Sequence, residues 1–530
     1  MSGRAQSRPK YNLSTALEET EIKTMRYFIS FIICIAFISI SSCNRKDFNT
    51  VLSSGKLQFS KDTVYLDTVF TNIGSATYNL KVYNRGSNAI TIPNIKLENG
   101  TNSNYRLNVD GIPGKEFTNI DILEKDSIFI FIETTINAGN IIDPLYTDKI
   151  LFDTGDTQQN VDLVTLVQDA NFIFPGKNAI TMKVDSLTLD GQPTTLKGRF
   201  LTDTELTFTN AKPTVIYGFA AVPANKTLTI EAGSRVHFHN NSGLIVDNKA
   251  SLKVNGTLTE KVIFEGDRLE HSFSETAGQW GTIWMRAGSL DNEMNHTIIK
   301  NGIIGVLVDS IGTPSTPTLK LKNTEIYNHS SYGILGRETN IEAHNVVIGN
   351  AGQASLAATI GGTYNFTHST FANFWNSSLR QLPAVLVNNF FSYTDDTGQE
   401  IIETRNLQAA NFTNCIFDGN NNIEFVLDKV DAGGLFNYNV SNSMIQFTDT
   451  NDSYKDNTEM DFTSSFYQNV ILNGKSHFRD TQMNDFIIGE ESDAINKAKA
   501  TIFSTDILEV DRSATPDIGA YQHITFEVEK

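Results

Sequence analysis

The stretch Leu228-Thr229-Ile230-Glu231-Ala232-Gly233-Ser234-Arg235-Val236-His237-Phe238 sets Leu228 with Ile230, and Val236 with Phe238, two positions apart across a turn at Ala232-Gly233-Ser234. The same device returns in Gly243-Leu244-Ile245-Val246, in Ala250-Ser251-Leu252-Lys253-Val254-Asn255-Gly256 and in Val262-Ile263-Phe264. A spacing of two places apolar side chains on one face of a strand. Each piece is too short to bury that face by itself, so the pieces must stack on copies of themselves.

A slower repeat sets the period of the stack. An Asn or His stands three positions before an apolar residue at His296 and Ile299, Asn323 and Ile326, Asn345 and Ile348, His368 and Phe371, Asn414 and Phe417, Asn442 and Ile445, and Asn469 and Leu472. Successive offsets are 27, 22, 23, 46, 28 and 27, the fourth being twice 23. One turn of a parallel β-helix takes about this many residues. The Asn and His side chains are expected to hydrogen-bond from coil to coil as a polar ladder. From Pro213 to near Asp485 there is room for about ten to twelve coils at the strand spacing of a sheet. The one interruption, 392–408, reads as a loop thrown out of a coil.

Composition bounds the alternatives. The 530 residues are 40% hydrophobic and 19% charged, too apolar for a disordered chain and too polar for a multi-span membrane protein. Forty-two basic against sixty acidic residues give a net charge of -18, which repels phosphate backbones and argues against nucleic acid as a partner. Abundant Gly (36) and Phe (34) with little Pro (12) suit short strands and turns. The three cysteines, Cys34, Cys43 and Cys415, can build neither a disulfide framework nor a cysteine zinc site.

Ahead of the repeats, residues 57–170 carry seven strand-like runs separated by turns such as Asn84-Arg85-Gly86-Ser87 and Thr154-Gly155-Asp156, the pattern of a β-sandwich. The motifs Phe70-Thr71-Asn72-Ile73-Gly74, Val82-Tyr83-Asn84-Arg85-Gly86, Asp126-Ser127-Ile128-Phe129 and Ile150-Leu151-Phe152-Asp153-Thr154 resemble Ig-like domains of the abnormal-spindle and hydin type. That resemblance implies a spacer or binding module. Residues 171–212 are a connector leading into the β-helix of 213–490, and 491–530 close the chain.

At the front, Met25-Arg26 precedes an apolar run from Tyr27 to Ile40 and then Ile40-Ser41-Ser42-Cys43. A basic start, a short apolar core and small residues form a secretory signal, too short for a membrane span. Ile-Ser-Ser-Cys resembles the lipobox of bacterial lipoproteins. The resemblance implies that 1–42 is a signal peptide, that Cys43 is acylated, and that 43–56 is a tether. Residues 1–24 lie upstream of Met25, a candidate true start. A lipid anchor of this kind makes the membrane a partner without a spanning segment. The expected location is the cell envelope, at the outer membrane of a Gram-negative bacterium.

The block from Leu228 to Trp284, ending in Gln279-Trp280-Gly281, is similar to the opening of right-handed β-helix proteins of bacterial surfaces. The tail, Ser492-Asp493-Ala494-Ile495-Asn496 through Asp511-Arg512 to Pro516-Asp517-Ile518-Gly519-Ala520-Tyr521-Gln522, resembles the closing segment of pectate-lyase-like β-helices, with Gln522 in place of their usual Glu. Such a tail is expected to plug the raw end of the stack. The fold class expected is therefore all-β: an N-terminal Ig-like β-sandwich plus a right-handed single-stranded parallel β-helix.

This resemblance leaves function open, since the fold serves sugar lyases, hydrolases, adhesins and scaffolds. A hydrolase needs carboxylates converging on one groove, and a lyase a Lys or Arg base. Neither constellation can be read in one sequence, so no catalytic residue is assigned. The expected ligand face lies beneath 392–408, with Tyr393, Asp395, Asp396, Glu400 and Arg405 as candidates able to stack on and hydrogen-bond a sugar or peptide. Trp284 and Arg286 form the next candidate face, near Trp280. His237 and His239 alternate with Val236 and Phe238 and should point outward as a surface pair; no third ligand accompanies them, so no metal and no cofactor is expected. The function expected is a lipid-anchored surface protein that binds glycan or a surface protein without catalysis. Polysaccharide lyase or glycoside hydrolase, and structural spacer, are the alternatives.

Overall fold

The computed structural model describes residues 49–137, 144–309 and 316–527. The signal segment and Cys43 lie outside the described residues. The chain divides into two units, one of residues up to Val64 with Thr77–Glu133 and Asp148–Leu163, the other of Tyr65–Ala76, Thr134–Thr147 and everything from Val164.

The first unit is built of two sheets. One pairs Ile90–Leu97 antiparallel with Glu116–Ile122 and with Leu145–Phe152. The other orders Gln58–Phe59, Tyr78–Tyr83, Ser127–Thr134, Tyr105–Val109 and Ile112–Gly114. Alternation puts Leu80, Val82, Ile130 and Ile132 of one sheet, and Ile92, Ile95, Leu97 and Phe152 of the other, fully inside. Phe59 and Phe152 bring the two sheets together, ring centroids 4.7 Å apart. The turn after Val82 is fixed by buried Asn84, whose amide donates to the carbonyls of Ile122 (3.2 Å) and Leu123 (2.9 Å) while its oxygen accepts from the Gly86 N–H.

The second unit is a parallel β-helix. On one of its sheets, eleven rungs stack in parallel among the described residues, from Asn171–Ile173 through Thr214–Ile216, Arg235–Phe238 and Val262–Gly266 to Met444–Ile445 and Ile471–Leu472. The stack thus begins at Asn171. Val236, Phe264, Ile299, Ile326, Ile348, Phe371, Phe417 and Ile445 line up in its interior, all fully buried. Equal residues in register let rings stack: Phe371 and Phe417 lie 5.2 Å apart with planes 1° from parallel. Trp280 is also core, stacked on Phe238 at 4.3 Å, with its indole N–H on the Lys300 carbonyl.

The seven Asn and His positions of the slow repeat all occupy the left-handed region, with φ between 43° and 58°. At each, one residue turns the strand from one sheet to the next. Strand Asn292–Lys300 pairs with Leu319–His329 on both sides of the corner and skips only His296 and Asn323. Asn and His are among the few side chains that tolerate this conformation. Their side chains also bond along the stack: Asn323 Nδ2 reaches His296 Nε2 (3.1 Å), Asn345 Nδ2 donates to Asn323 Oδ1 (3.0 Å), and Asn414 Nδ2 reaches His368 Nε2 (2.9 Å).

The closing motif does not plug the end. Phe447, Tyr454 and Phe462 pack against the core at its last coil, in place of a further rung. The tail instead runs along the outside of the eleven-rung sheet. Ala494 and Ile518 cover Ile416 and Met444, and Phe486, Ile507, Ala520 and Tyr521 cover Val347 and Ala372. The reason is that the outward positions of these rungs are apolar as well, so the flank needs covering more than the end. The ladder amides hold the tail: Asn345 donates to the Thr505 carbonyl, Asn414 to Lys499 and Asn442 to Lys497. Each motif residue has a task. Asp517 accepts from the N–H groups of Asn496 and His523, and buried Arg512 donates to the carbonyls of Gly519 and Ala520. Gly519, at φ 101°, sits where a Cβ would come within 2.7 Å of Ile416. Gln522 accepts from the Asp517 N–H and donates to the Thr515 carbonyl, and the second bond is one a Glu could not make.

Histidines packed within the stack make it acid-sensitive. Burial pushes His368 down to about 3, with Arg512 adding to the effect, and burial holds His329 and His344 at about 4. The Asn414 amide nitrogen can only donate, so His368 Nε2 must accept, which fits the neutral ring. An unfolded chain takes up these protons near pH 6.5 and the folded one does not. Stability should therefore fall as pH drops from about 6.5 toward 4, each histidine steepening the loss by about 1.4 kcal/mol per pH unit. His368→Asn, the residue used at other corners, should keep the fold and flatten this decline in urea titrations at pH 7, 6 and 5.

Candidate functional site

A different sheet of the β-helix carries the candidate site. Its strands share a four-residue pattern: Leu244-Ile245-Val246-Asp247, Ile283-Trp284-Met285-Arg286, Val306-Leu307-Val308-Asp309, Ile334-Leu335-Gly336-Arg337 and Val385-Leu386-Val387-Asn388. The first and third residues stack in register toward the core. The second and fourth point outward, so the fourth forms a column of alternating charge, Asp247, Arg286, Asp309, Arg337, one rung apart. Opposite charges directly across a ladder stabilise it. Arg286 contacts both Asp247 and Asp190. Arg337 Nε donates to Asp309 Oδ1 at 2.6 Å, and the Trp284 indole N–H donates to Asp309 Oδ2 at 2.7 Å. Asp309 is thereby fixed through both oxygens.

Just past this column the coil departs from regularity. Glu338 stands at φ 49° and Ile360, on the next rung, at φ 61°, and the strand pairing shifts register between Arg337 and Thr339. A β-branched residue in the left-handed region is a strained conformation that persists only when its surroundings impose it. Here the Ile360 N–H is held by Asn388 Oδ1 at 2.9 Å. The following Gly361 is at φ 71°, and a Cβ there would lie 2.4 Å from the Asn406 carbonyl oxygen. The extra residues push the chain outward and open a groove of ≈ 650 Å³, lined by Asp309, Arg337, Glu338, Asn388, Phe390 and Phe391 among others.

The segment expected as a loop is a β-hairpin, with Phe390–Thr394 antiparallel to Glu400–Thr404. It forms because Asp395 organises its turn, accepting from the Thr397 N–H (2.8 Å), the Thr397 hydroxyl (2.6 Å) and the Gln399 N–H (3.0 Å). Asp395 is therefore a turn residue, and Asp396 and Glu400 are exposed at the same end, away from the groove lining. Phe391, 52% exposed, forms one wall, with Tyr393 stacked beside it at 5.9 Å. The Tyr393 hydroxyl donates to Glu403, and Arg405 bridges Glu403 (3.2 Å) and Glu338 (3.6 Å).

The structure thus joins the two candidate faces. Trp284 reaches the groove through Asp309, Arg286 stands one rung before Asp309, and Arg405 reaches it through Glu338. Arg337, which with Arg286 and Lys300 could be expected from the sequence to line a sugar-binding face near Trp280 and Trp284, does line the groove; the residues that sequence reasoning missed are Asp309, Glu338, Ile360 and Phe391. The repeated apolar run followed by Asp, Arg, Asp, Arg was the signal for the first of these. Nothing in the sequence marked Glu338 or Ile360.

The histidine pair is corrected. His237 points away from the core but is fully buried, its Nδ1 3.1 Å from the Gly266 carbonyl and 3.8 Å from Glu265 on the next rung. Burial lowers its pKa, a direction that Glu265 opposes. His239 pairs with Asp267 at 2.8 Å. No group of three or more His, Cys, Asp or Glu side chains is placed to hold a metal among the described residues. Cys415 is buried in the coil, its Sγ near the Phe366 and Thr413 carbonyls, and burial pushes its thiol up to about 12.

No protein-family model matches the sequence, and no curated protein matches it. Among solved structures, a family 123 glycoside hydrolase from Clostridium perfringens aligns at TM-score 0.16 and 11% identity, over 22% of this chain and 30% of that one. The catalytic unit of the thermostable GH87 α-1,3-glucanase from Streptomyces thermodiastaticus strain HF3-3 aligns at TM-score 0.22 and 11% identity, over 69% of this chain and 79% of that one. Both likenesses are remote.

The strain at Ile360 has a measurable cost. Asn accepts the left-handed region readily, so Ile360→Asn should raise stability by about 1 kcal/mol, read as a higher urea midpoint at unchanged slope. An unchanged or lower midpoint would show that the Ile side chain contributes more than its backbone conformation costs.

Proposed function

We propose that this chain is a lipid-anchored protein of the cell envelope, at the outer membrane of a Gram-negative bacterium, that binds glycan in the groove beside Phe391 without cleaving it. The observation that carries the binding role is the make-up of the groove: an exposed aromatic wall facing a fixed column of carboxylate and guanidinium groups. A ring face packs against the C–H side of a sugar, and oriented charged groups hydrogen-bond its hydroxyls. Retention is favoured over cleavage because both oxygens of Asp309 already accept hydrogen bonds, from the Trp284 indole N–H and from Arg337, which suits a carboxylate held as part of a fixed floor. The envelope address rests on the signal-like run before Cys43 and its lipobox resemblance.

The second reading, a glycoside hydrolase or polysaccharide lyase, rests on Asp309 and Glu338 lining the same groove. A screen of the purified protein on neutral and acidic polysaccharides, scoring retention together with new reducing or unsaturated ends, separates the two. Retention without new ends supports the binder, and turnover supports the enzyme. Phe391→Ala and Arg337→Ala should each weaken retention by about tenfold, the loss expected for a stacking or charged contact. Unchanged retention in both variants would remove this groove from consideration.

The anchor is tested separately. Cys43→Ala should move the protein from the membrane fraction to the soluble fraction, and the wild type should carry lipid mass on its N-terminal peptide. A mutant that stays on the membrane and a wild type without lipid would overturn the anchor while leaving the groove untouched.

A further inference from the structure

A larger groove of the second unit lies elsewhere, at the start of the β-helix, and its chemistry is different. It measures ≈ 790 Å³ and is lined mainly by Phe174, Val184, Leu196, Tyr217, Phe219 and Ile303. Phe174, Val184 and Ile303 are each more than two-fifths exposed. Two lysines, Lys177 and Lys197, are its charged groups, beside Thr195, Asn240 and Asn241, and both lysines are exposed.

Beside the groove the chain between Lys177 and Val184 forms a tight tip. Lys177 and Val184 are bridged antiparallel, Asn178 Oδ1 accepts from the N–H groups of Ile180 (3.0 Å) and Thr181 (2.8 Å), and the Met182 N–H donates to the Asn178 carbonyl (2.9 Å). This wiring holds apolar side chains out into solvent: Ile180 is 93% exposed and Met182 61%. Lys183 adds a third cation. Against Lys177, Lys183 and Lys197 stand Asp185 and Asp190, and Asp190 is taken up by Arg286. A locally basic, apolar surface on a chain of net charge -18 is a departure that folding alone does not require.

We propose that this groove and its tip take an anionic amphiphile, with the acyl chain along Phe174, Leu196, Phe219 and Ile303 and the acidic head between Lys177 and Lys197. An aliphatic chain suits the apolar floor, and a carboxylate or phosphate suits the two lysines that share its lining. The same chemistry is available from a free fatty acid or from the headgroup and acyl region of an anionic bilayer, into which Ile180 and Met182 would dip. The site is independent of the glycan groove, and either can fail without the other.

The test uses the full chain in two arms. In the first, cis-parinaric acid is titrated and compared with its methyl ester. Saturable binding of the acid, weaker for the ester and weakened about tenfold in K177E/K197E, supports the site with a free amphiphile as the source. In the second, I180W is mixed with vesicles of phosphatidylglycerol or of phosphatidylcholine, with the emission of the three native tryptophans subtracted. A blue shift on phosphatidylglycerol alone, lost when K177E/K197E is added to I180W, supports the site with a bilayer as the source. The three positions are exposed, so melting temperatures should stay at the wild-type value and certify the variants as folded. Neither saturable binding nor a blue shift would overturn the proposal. Equal affinity for acid and ester, or binding indifferent to charge reversal, would overturn it as well.

Discussion

Everything in the β-helix depends on turning a strand through a corner in a single residue. A corner that consumes one residue needs a backbone in the left-handed region, which most side chains resist by about 1 kcal/mol or more. Seven such corners, His296 through Asn469, are met with Asn or His. The choice solves a second problem too, because a corner breaks the pairing of main-chain groups and leaves polar atoms to satisfy. The Asn and His side chains bond to the coil below and, through their amides, to the tail outside. Since every corner is alike, each coil leaves its sheet at the same place as the one before, and the inward residues fall into columns. Removing one corner would shift register for the coils on both sides of it.

That dependence explains which features were legible in the sequence. The period of Asn and His, and the apolar residues three positions on, are written in the chain because each coil repeats the same demand. The sandwich was legible for a related reason: alternation at Leu80, Val82, Ile92 and the turn at Asn84 are local. The candidate site was legible only in outline. The break at 392–408 marked a place where the repeat fails, but the break itself forms a hairpin, and one of the residues expected to meet a ligand, Asp395, is consumed by its turn. Glu338 and Ile360 could not be found, because nothing local distinguishes a residue forced into a strained conformation by its neighbours one rung away.

The same logic places the groove. A regular stack presents flat faces, and a cavity requires the repeat to be broken on adjacent rungs at the same column. Extra residues at Glu338, then at Ile360 and Gly361, followed by the hairpin one rung later, do this in succession. The alternating Asp and Arg column supplies a rigid floor, with Asp309 held from two sides. The tail was misplaced in the sequence reading for a complementary reason. Inward and outward apolar residues look identical in a strand, so the need to cover Val347, Ile416 and Met444 could not be told from the need to fill the core.

The position of that tail orders events in time. Asn345 is bonded to Thr505, 160 residues later, and Asn414 to Lys499, 85 later. A stack of coils can grow from neighbour to neighbour with short loops to close, which favours rapid local assembly. The strip along Val347 and Met444 is sealed only when the last residues arrive. Until then a nearly finished helix presents an adhesive flank, the kind of surface that draws partly folded chains together. A chain of this design gains from being held open until its end has emerged, as happens when a polypeptide crosses a membrane before it folds.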